Sequence, residues 1–237
     1  MPLFPLIPVV ALTGALVGGV IYLLRGGGSG SGDNGNEEEA SILQKNFKHL
    51  RKGLENEKND GNRKTIAIIG QPGSGKSSLL KAITDGECEP LPTIGQQTDA
   101  TDWHREEMWD FFTEYKNDIF VDIPGYGTIH HPTDSYMDFF PFDNFDKILL
   151  ILQGAVCESD EKIFKKIDQL HGWETSKKVF VIRNFSESLG SEDKESIRCD
   201  YDKPERFDLK AKSMKVIFSS ARTEEGIEEL KKILFTG

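Results

Sequence analysis

Gly70-Gln71-Pro72-Gly73-Ser74-Gly75-Lys76-Ser77-Ser78 is the stretch of this sequence that decides the fold. It follows the apolar run Thr65-Ile66-Ala67-Ile68-Ile69, which predicts a buried strand, and it precedes Leu79-Leu80-Lys81-Ala82-Ile83, which has helical spacing. A strand, a turn of the pattern GxxxxGK[ST] and a helix together predict a phosphate-binding loop, or P-loop. Its backbone N–H groups would surround a phosphate at the positive end of the helix.

Two side chains of the predicted P-loop have roles in phosphate chemistry. We expect Lys76 to contact the β- and γ-phosphates of a nucleotide and the Ser77 hydroxyl to ligate Mg²⁺. An ordinary glycine-rich turn would carry both side chains at these positions only by accident. We therefore favour phosphate binding.

A second motif, DxxG, ends the apolar run Ile119-Phe120-Val121-Asp122-Ile123-Pro124-Gly125. Asp122 would hold Mg²⁺ through water, and Gly125 would donate a backbone N–H to the γ-phosphate. DxxG is a weak pattern alone, but at the end of a strand that follows a P-loop it becomes specific. Lys76, Ser77 and Gly125 are therefore the predicted catalytic residues.

A threonine between these motifs should complete the Mg²⁺ site and sense the γ-phosphate. Thr93 lies in Pro92-Thr93-Ile94-Gly95, which looks like the switch sequence of several small GTPases, whereas Thr98 is better placed before the next strand. The predicted metal ligands are thus Ser77, Asp122 and Thr98, with Thr93 as the open alternative. An outer strand is predicted over 102–112.

The predicted base-binding segment is Arg183-Asn184-Phe185-Ser186-Glu187, after the apolar strand 178–182. GTPases normally have [NT]KxD here, so Asn184 matches, Phe185 replaces lysine, and Glu187 keeps the carboxylate that accepts from guanine. Phe185 could stack on a base or pack in the core. Ser219-Ser220-Ala221-Arg222 resembles the SA[KR] loop, in which Ser220 and the Ala221 N–H approach guanine. Guanine preference and a looser base preference both stay open.

The DxxG segment Asp122-Ile123-Pro124-Gly125-Tyr126-Gly127-Thr128 resembles the DLPGxGT segment of the interferon-inducible, immunity-related GTPases, and 70–78 is similar to their P-loop. The resemblance covers about 64–234. It implies a Ras-like GTPase domain, GTP or GDP with Mg²⁺ as ligands, and membrane-associated hydrolysis that oligomerisation stimulates. Members of that family usually contact membranes through lipidation or amphipathic helices, and they carry a large helical domain that this sequence does not match.

The N-terminal region predicts a membrane anchor. Residues 3–24 contain no charge and are long enough for one transmembrane helix, whereas a signal peptide would need a positive start. Arg25 follows directly, which places the remainder of the chain in the cytoplasm. Gly14 and Gly18 form a GxxxG pattern, so a dimer could form through this helix as well as through the GTPase domain.

The rest of the chain divides by composition. Residues 25–40 are rich in glycine, serine and acidic residues and predict a flexible linker. An amphipathic helix is predicted over 41–58, packed on the nucleotide domain or lying on anionic lipid. The GTPase domain is predicted over 63–237, as an α/β fold with a mostly parallel sheet flanked by helices. The net charge of −10 argues against a nucleic-acid partner.

These features predict slow hydrolysis of GTP, because Tyr126 stands where many small GTPases have a water-orienting glutamine. Self-association or a partner would then stimulate the reaction. The alternative is a nucleotide-dependent membrane scaffold with little hydrolysis and relaxed base specificity. An ABC-type ATPase is disfavoured because the sequence has no LSGGQ signature. His130 and His131 are expected to be a solvated pair rather than metal ligands.

Overall fold

The computed structural model describes residues 41–60, 63–94 and 102–235. The predicted membrane span (3–24), the predicted linker (25–40) and Thr98 lie outside the described residues. Within the described ranges, none of the helices is both long enough and apolar enough to cross a bilayer.

A six-stranded sheet forms the centre of the described domain. Its strands are β1 (Lys64–Gly70), β2 (Thr113–Tyr115), β3 (Asp118–Asp122), β4 (Lys147–Leu152), β5 (Val179–Arg183) and β6 (Val216–Phe218). The order is β2-β3-β1-β4-β5-β6, and only the β2–β3 pair is antiparallel. The predicted mostly parallel α/β sheet is confirmed. Because β1 has β3 on one side and β4 on the other, the sequence order reverses at β1, where ligands of open α/β sheets bind.

Helices cover both faces of this sheet. They are α1 (Ile42–Asp60), α2 (Lys76–Ile83), α3 (Thr133–Phe139), α4 (Glu158–His171), α5 (Thr175–Lys178), α6 (Ser191–Tyr201) and α7 (Ile227–Phe235). Alternate residues of a strand point to opposite faces. Accordingly, Ala67 and Ile69 enter a core shared with α1 and α4, whereas Ile66 and Ile68 enter a second core shared with α2 and α7. Burial on both faces explains why β1 reads as a continuous apolar run.

Helix α1 packs on the nucleotide domain, where the sequence predicts an amphipathic helix over 41–58. Its apolar residues Phe47, Leu50 and Leu54 are fully buried in the first core. The Phe47 ring makes edge contacts with Trp103, Tyr136 and Phe140 at centroid distances of 5.1–6.2 Å. Helix α1 is therefore part of the folded domain.

The predicted outer strand over 102–112 is wrong, because these residues form no strand and the edge strand beside β3 is β2, at 113–115. The buried side chain of Asn46 in α1 bonds the backbone of this segment instead. Its amide nitrogen donates to the carbonyls of Trp103 (2.7 Å) and Glu106 (2.8 Å), and its oxygen accepts from the Met108 N–H (2.7 Å). Backbone groups bonded in this way are not available to a strand ladder.

Replacing Asn46 by alanine should lower the free energy of unfolding by about 3 kcal/mol, because three backbone groups lose their buried partner. The measurement is denaturant unfolding of the full chain. Lys48→Ala, on the exposed side of the same helix, is the matched control and should change stability by less than about 0.5 kcal/mol. Equal effects of the two variants would contradict the role given to Asn46.

Candidate functional site

The P-loop joins β1 to α2 and is shaped by glycines. Gly73 and Gly75 have φ angles of 74° and 85°, which side chains disfavour. A Cβ at Gly75 would lie 2.3 Å from the Asn184 amide nitrogen, and one at Gly70 would lie 2.2 Å from the Ile151 carbonyl oxygen. The loop therefore contacts the ends of β4 and β5 at distances that no side chain allows.

Lys76 is the first residue of α2 and is 8% exposed. Its ammonium group donates to the carbonyls of Gly70 (3.2 Å) and Gln71 (3.0 Å). Burial lowers the pKa of Lys76 to about 8, and the negative charge of Asp122 opposes that shift. A bound phosphate group would favour the charged form of Lys76, which burial disfavours.

Ser77 and Asp122 meet at the carboxyl ends of β1 and β3. The Ser77 hydroxyl donates to Asp122 Oδ2 at 2.5 Å. Burial raises the pKa of Asp122, although the Ser77 hydrogen bond and the charge of Lys76 act in the opposite direction. Among the described residues, the buried Asp122 Oδ1 has no hydrogen-bond partner. Two neighbouring oxygen ligands, one of them with unused acceptor capacity, fit Mg²⁺, which Ser77 and Asp122 would hold.

The structure describes only one of the two candidate threonines. Thr93 is exposed and lines the same cavity as Asp122, which has a volume of about 340 Å³. Thr98 lies outside the described residues, so its role as a metal ligand stays a prediction.

The DxxG segment lies directly against the P-loop. A Cβ at Gly125 would be 2.3 Å from the Pro72 nitrogen, so only glycine fits this approach. The Tyr136 hydroxyl donates to the Pro124 carbonyl at 2.7 Å and holds the segment from α3. The structure thus brings Gly125 beside the P-loop, as its predicted γ-phosphate contact requires.

Tyr126 is fully buried. Its hydroxyl donates to Asp160 Oδ1 at 2.6 Å, and the Gln71 amide donates to both oxygens of the same carboxylate at 3.0–3.1 Å. Burial and the Asp160 charge raise the pKa of Tyr126 well above its ordinary value. We call Gln71, Tyr126 and Asp160 the Asp160 network. Sequence reasoning missed Asp160, which lies in the first turn of α4, because nothing local identifies its partners.

At the base-binding end, Asn184 connects two loops. Its amide nitrogen donates to the Ser74 carbonyl at 2.9 Å, and its oxygen accepts from the Ser219 hydroxyl at 3.2 Å. Ser219 was not singled out in the sequence. Phe185 is 37% exposed, and its ring lies beside Gly75. This exposure argues against packing of Phe185 in the core.

Glu187 and the Ser220-Ala221 loop come together next to the P-loop. Glu187 is exposed, and the Ser220 hydroxyl, backbone hydrogen bonding and the Arg222 charge lower its pKa. Ser220 Oγ also accepts from the N–H groups of Arg222 and Thr223 at 3.2 Å, which shapes the loop. An ionised carboxylate beside this loop is suited to accept hydrogen bonds from a base.

The lowered pKa of Lys76 predicts a pH dependence of stability in the nucleotide-free protein. Between the folded pKa of about 8 and the ordinary value of 10.5, the unfolded chain binds more protons, so this lysine's contribution to the free energy of unfolding rises with pH. Relative to Lys76→Met, which has no titrating group there, the wild type should gain up to about 3 kcal/mol across that window. Denaturant unfolding of both proteins at pH 7.5–10.5 measures this. A constant difference would contradict it.

The chain matches the family model described as 50S ribosome-binding GTPase over residues 65–185, just over half of its length. The matched range runs from β1 to Phe185 and so contains the P-loop and the DxxG segment. A comparison with curated protein sequences gives no match.

The chain is similar to several solved structures, including the following three. The chain is 17% identical to a probable GTP-binding protein EngB (73% of this chain and 97% of that one, TM-score 0.49). It is 21% identical to the G domain of the T. maritima FeoB iron transporter (73% and 96%, TM-score 0.44) and 15% identical to Arabidopsis thaliana Toc33 in complex with GDP and Mg²⁺ (81% and 94%, TM-score 0.47). At these identities and scores the three structures do not bear on the function of this chain.

By its family match, the chain belongs to the 50S ribosome-binding GTPase family and contains a GTP-binding, Ras-like P-loop GTPase domain.

Proposed function

We propose that this chain is a membrane-anchored GTPase of the immunity-related type that hydrolyses GTP to GDP slowly. Residues 3–24 would span the membrane, with the GTPase domain in the cytoplasm. The observation that carries the catalytic part is the meeting of Lys76, Ser77 and Asp122 at one end of the sheet, with Gly125 against the P-loop. The DLPGxGT-like segment at 122–128 supports the subfamily, and the uncharged run at 3–24 supports the anchor.

The chemistry follows from these residues. Lys76 binds and neutralises the β- and γ-phosphates, and the Gly125 N–H orients the γ-phosphate. Mg²⁺, held by Ser77 and Asp122, would supply further neutralisation of phosphate charge. Phosphoryl transfer depends mainly on such positioning and charge stabilisation.

The position of Tyr126 supports slow hydrolysis. Its hydroxyl is bonded to Asp160 in the core, so it does not orient an attacking water. Arg105 is highly exposed, and its guanidinium is paired with Asp102 at 2.8 Å. A self-associated copy or a partner would supply the missing group. The large apolar side chains of Leu91, Ile94 and Ile129, which are exposed around the phosphate-sensing segments, support such an association.

A second candidate function is a nucleotide-dependent membrane scaffold with little hydrolysis and relaxed base specificity. The buried Tyr126 and the replacement of lysine by Phe185 at the base site favour it. It shares the anchor and the nucleotide site with the first proposal and differs only in turnover and in base selectivity.

Calorimetric titration of the full chain with GTP, GDP and ATP, each with Mg²⁺, tests the base site. We expect selective binding of guanine nucleotides and an affinity loss of about 10–100-fold in Glu187→Ala, because a charge-assisted hydrogen bond contributes about 1.5–3 kcal/mol. Glu192→Ala, an exposed glutamate five residues further on, is the matched control and should bind as the wild type does. Equal affinity for GTP and ATP would instead support the scaffold.

Single-turnover hydrolysis of GTP at increasing protein concentration tests the catalytic proposal. The rate should be low in dilute protein and rise with concentration. Tyr126→Phe should leave this rate unchanged while lowering the free energy of unfolding by about 1–3 kcal/mol, since Asp160 loses a buried donor. A fast hydrolysis rate that is independent of protein concentration would overturn the proposal of slow, stimulated hydrolysis. Loss of hydrolysis in a stably folded Tyr126→Phe variant would overturn the purely structural role given to Tyr126.

A further inference from the structure

Asp102, His104 and His131 form a cluster that takes no part in the roles described above. One donor atom from each lies within 4.8 Å of the other two. Asp102 shares a cavity with Asp122, so the cluster lies beside the phosphate end of the nucleotide site without using its ligands. We call these three residues the histidine cluster.

The structure corrects the expectation of a solvated histidine pair at 130–131. His130 is exposed, but His131 is only 2% exposed and lies close to His104, at a ring-centroid distance of 5.7 Å. Three of the five histidines of the chain therefore gather around Asp102, although they come from two segments well separated in the sequence. Sequence spacing alone could not reveal this.

The donor atoms of the histidine cluster lie close to one another. His131 Nε2 accepts from the Trp103 backbone N–H at 3.3 Å, and an accepting nitrogen carries a lone pair. That nitrogen lies 3.6 Å from Asp102 Oδ1, which also contacts His104 Nδ1. An imidazole nitrogen has one in-plane lone pair, so a cation at Nε2 would take the place of the Trp103 N–H and would bind the Asp102 oxygen as well.

The backbone on both sides of the histidine cluster is held in place. Asn46 bonds the Trp103 carbonyl at 2.7 Å, between the two ligands of the first segment. On the other segment, the His131 N–H donates to Thr128 Oγ1 at 3.0 Å. Arg105 pairs with Asp102 Oδ2 at 2.8 Å, which leaves Oδ1 facing the imidazoles. Ligands whose backbone is fixed in this way bind a metal without a large ordering cost.

We propose that Asp102, His104 and His131 bind a divalent transition-metal ion of the Zn²⁺ class. Tetrahedral zinc with bonds of about 2.1 Å places its ligand atoms about 3.4 Å apart, close to the 3.6 Å between Asp102 and His131. His104 would open its contact with Asp102, and His131 Nε2 would exchange the Trp103 N–H for the ion. Two imidazoles and one carboxylate suit Zn²⁺ rather than Mg²⁺, which prefers oxygen ligands, and leave a fourth position for water.

Metal at the histidine cluster links two segments of the chain. Asp102 and His104 follow the segment that carries the candidate threonines, and His131 follows the DxxG segment. A bound ion therefore ties together the two regions that respond to the γ-phosphate, and it stabilises the folded state because it binds only there.

The test uses the metal-free full chain with GDP and excess Mg²⁺, which occupy the nucleotide site. Co²⁺ is the probe, followed by its visible absorption, and Zn²⁺ is the competitor. We expect one equivalent of Co²⁺ to bind with a visible spectrum typical of nitrogen and oxygen ligands, Zn²⁺ to displace it, and Zn²⁺ to raise the melting temperature. Absence of this spectrum, or a thiolate charge-transfer band from the cysteines, would overturn the proposal.

Variants of the two partly exposed ligands locate the ion without disturbing the buried His131. His104→Ala and Asp102→Asn should each weaken Co²⁺ binding by about 10-fold or more and abolish the thermal shift with Zn²⁺. His130→Ala, whose ring stacks on His104 at 3.9 Å, is the control and should lose much less affinity. Binding unchanged in His104→Ala, or an equal loss in His130→Ala, would show that a surface histidine is responsible.

Discussion

The site depends on three close backbone approaches that only glycine permits. Gly70 meets the end of β4, Gly75 meets the Asn184 side chain after β5, and Gly125 meets Pro72 of the P-loop, each with space for a hydrogen but not for a carbon. The parallel order β3-β1-β4-β5 places the carboxyl ends of these strands side by side. The sheet topology and the glycines therefore act together, because adjacent strand ends would still not let the loop close if any of the three positions carried a side chain.

Burial of ionisable groups around the P-loop gives the site its electrostatic character. Lys76 and Asp122 both have pKa values shifted towards their neutral forms by burial, and each opposes the shift of the other. A pair shifted in this way is well suited to receive a highly charged ligand, since phosphate and Mg²⁺ restore the charges that burial disfavours. The Asp160 network lies behind the loop and fixes Gln71 through its side chain, so the Gln71 backbone stays in place for the Lys76 contact.

Helix α1 holds the segment that follows the candidate switch threonines. Asn46 holds the backbone of 103–108, and this segment contains His104 and adjoins the candidate switch threonines. The hydrogen bonds of Asn46 also explain why residues 102–112, whose apolar and polar residues roughly alternate, form no strand.

The sequence by itself determined the parts of the protein that depend on local patterns. Apolar runs located β1, β3 and β5 to within a few residues, because periodicity and glycine content report local backbone requirements. The two motifs placed Lys76 and Ser77 at the start of the helix after β1 and Asp122 at the end of β3. Helix α6 was missed because its exposed surface leaves little apolar periodicity. Only the tertiary structure decided the burial of Tyr126, the irregular path of 102–112 and the gathering of His104 with His131. In each case the deciding partner lies far away in the sequence, so the interaction exists only once the chain has folded.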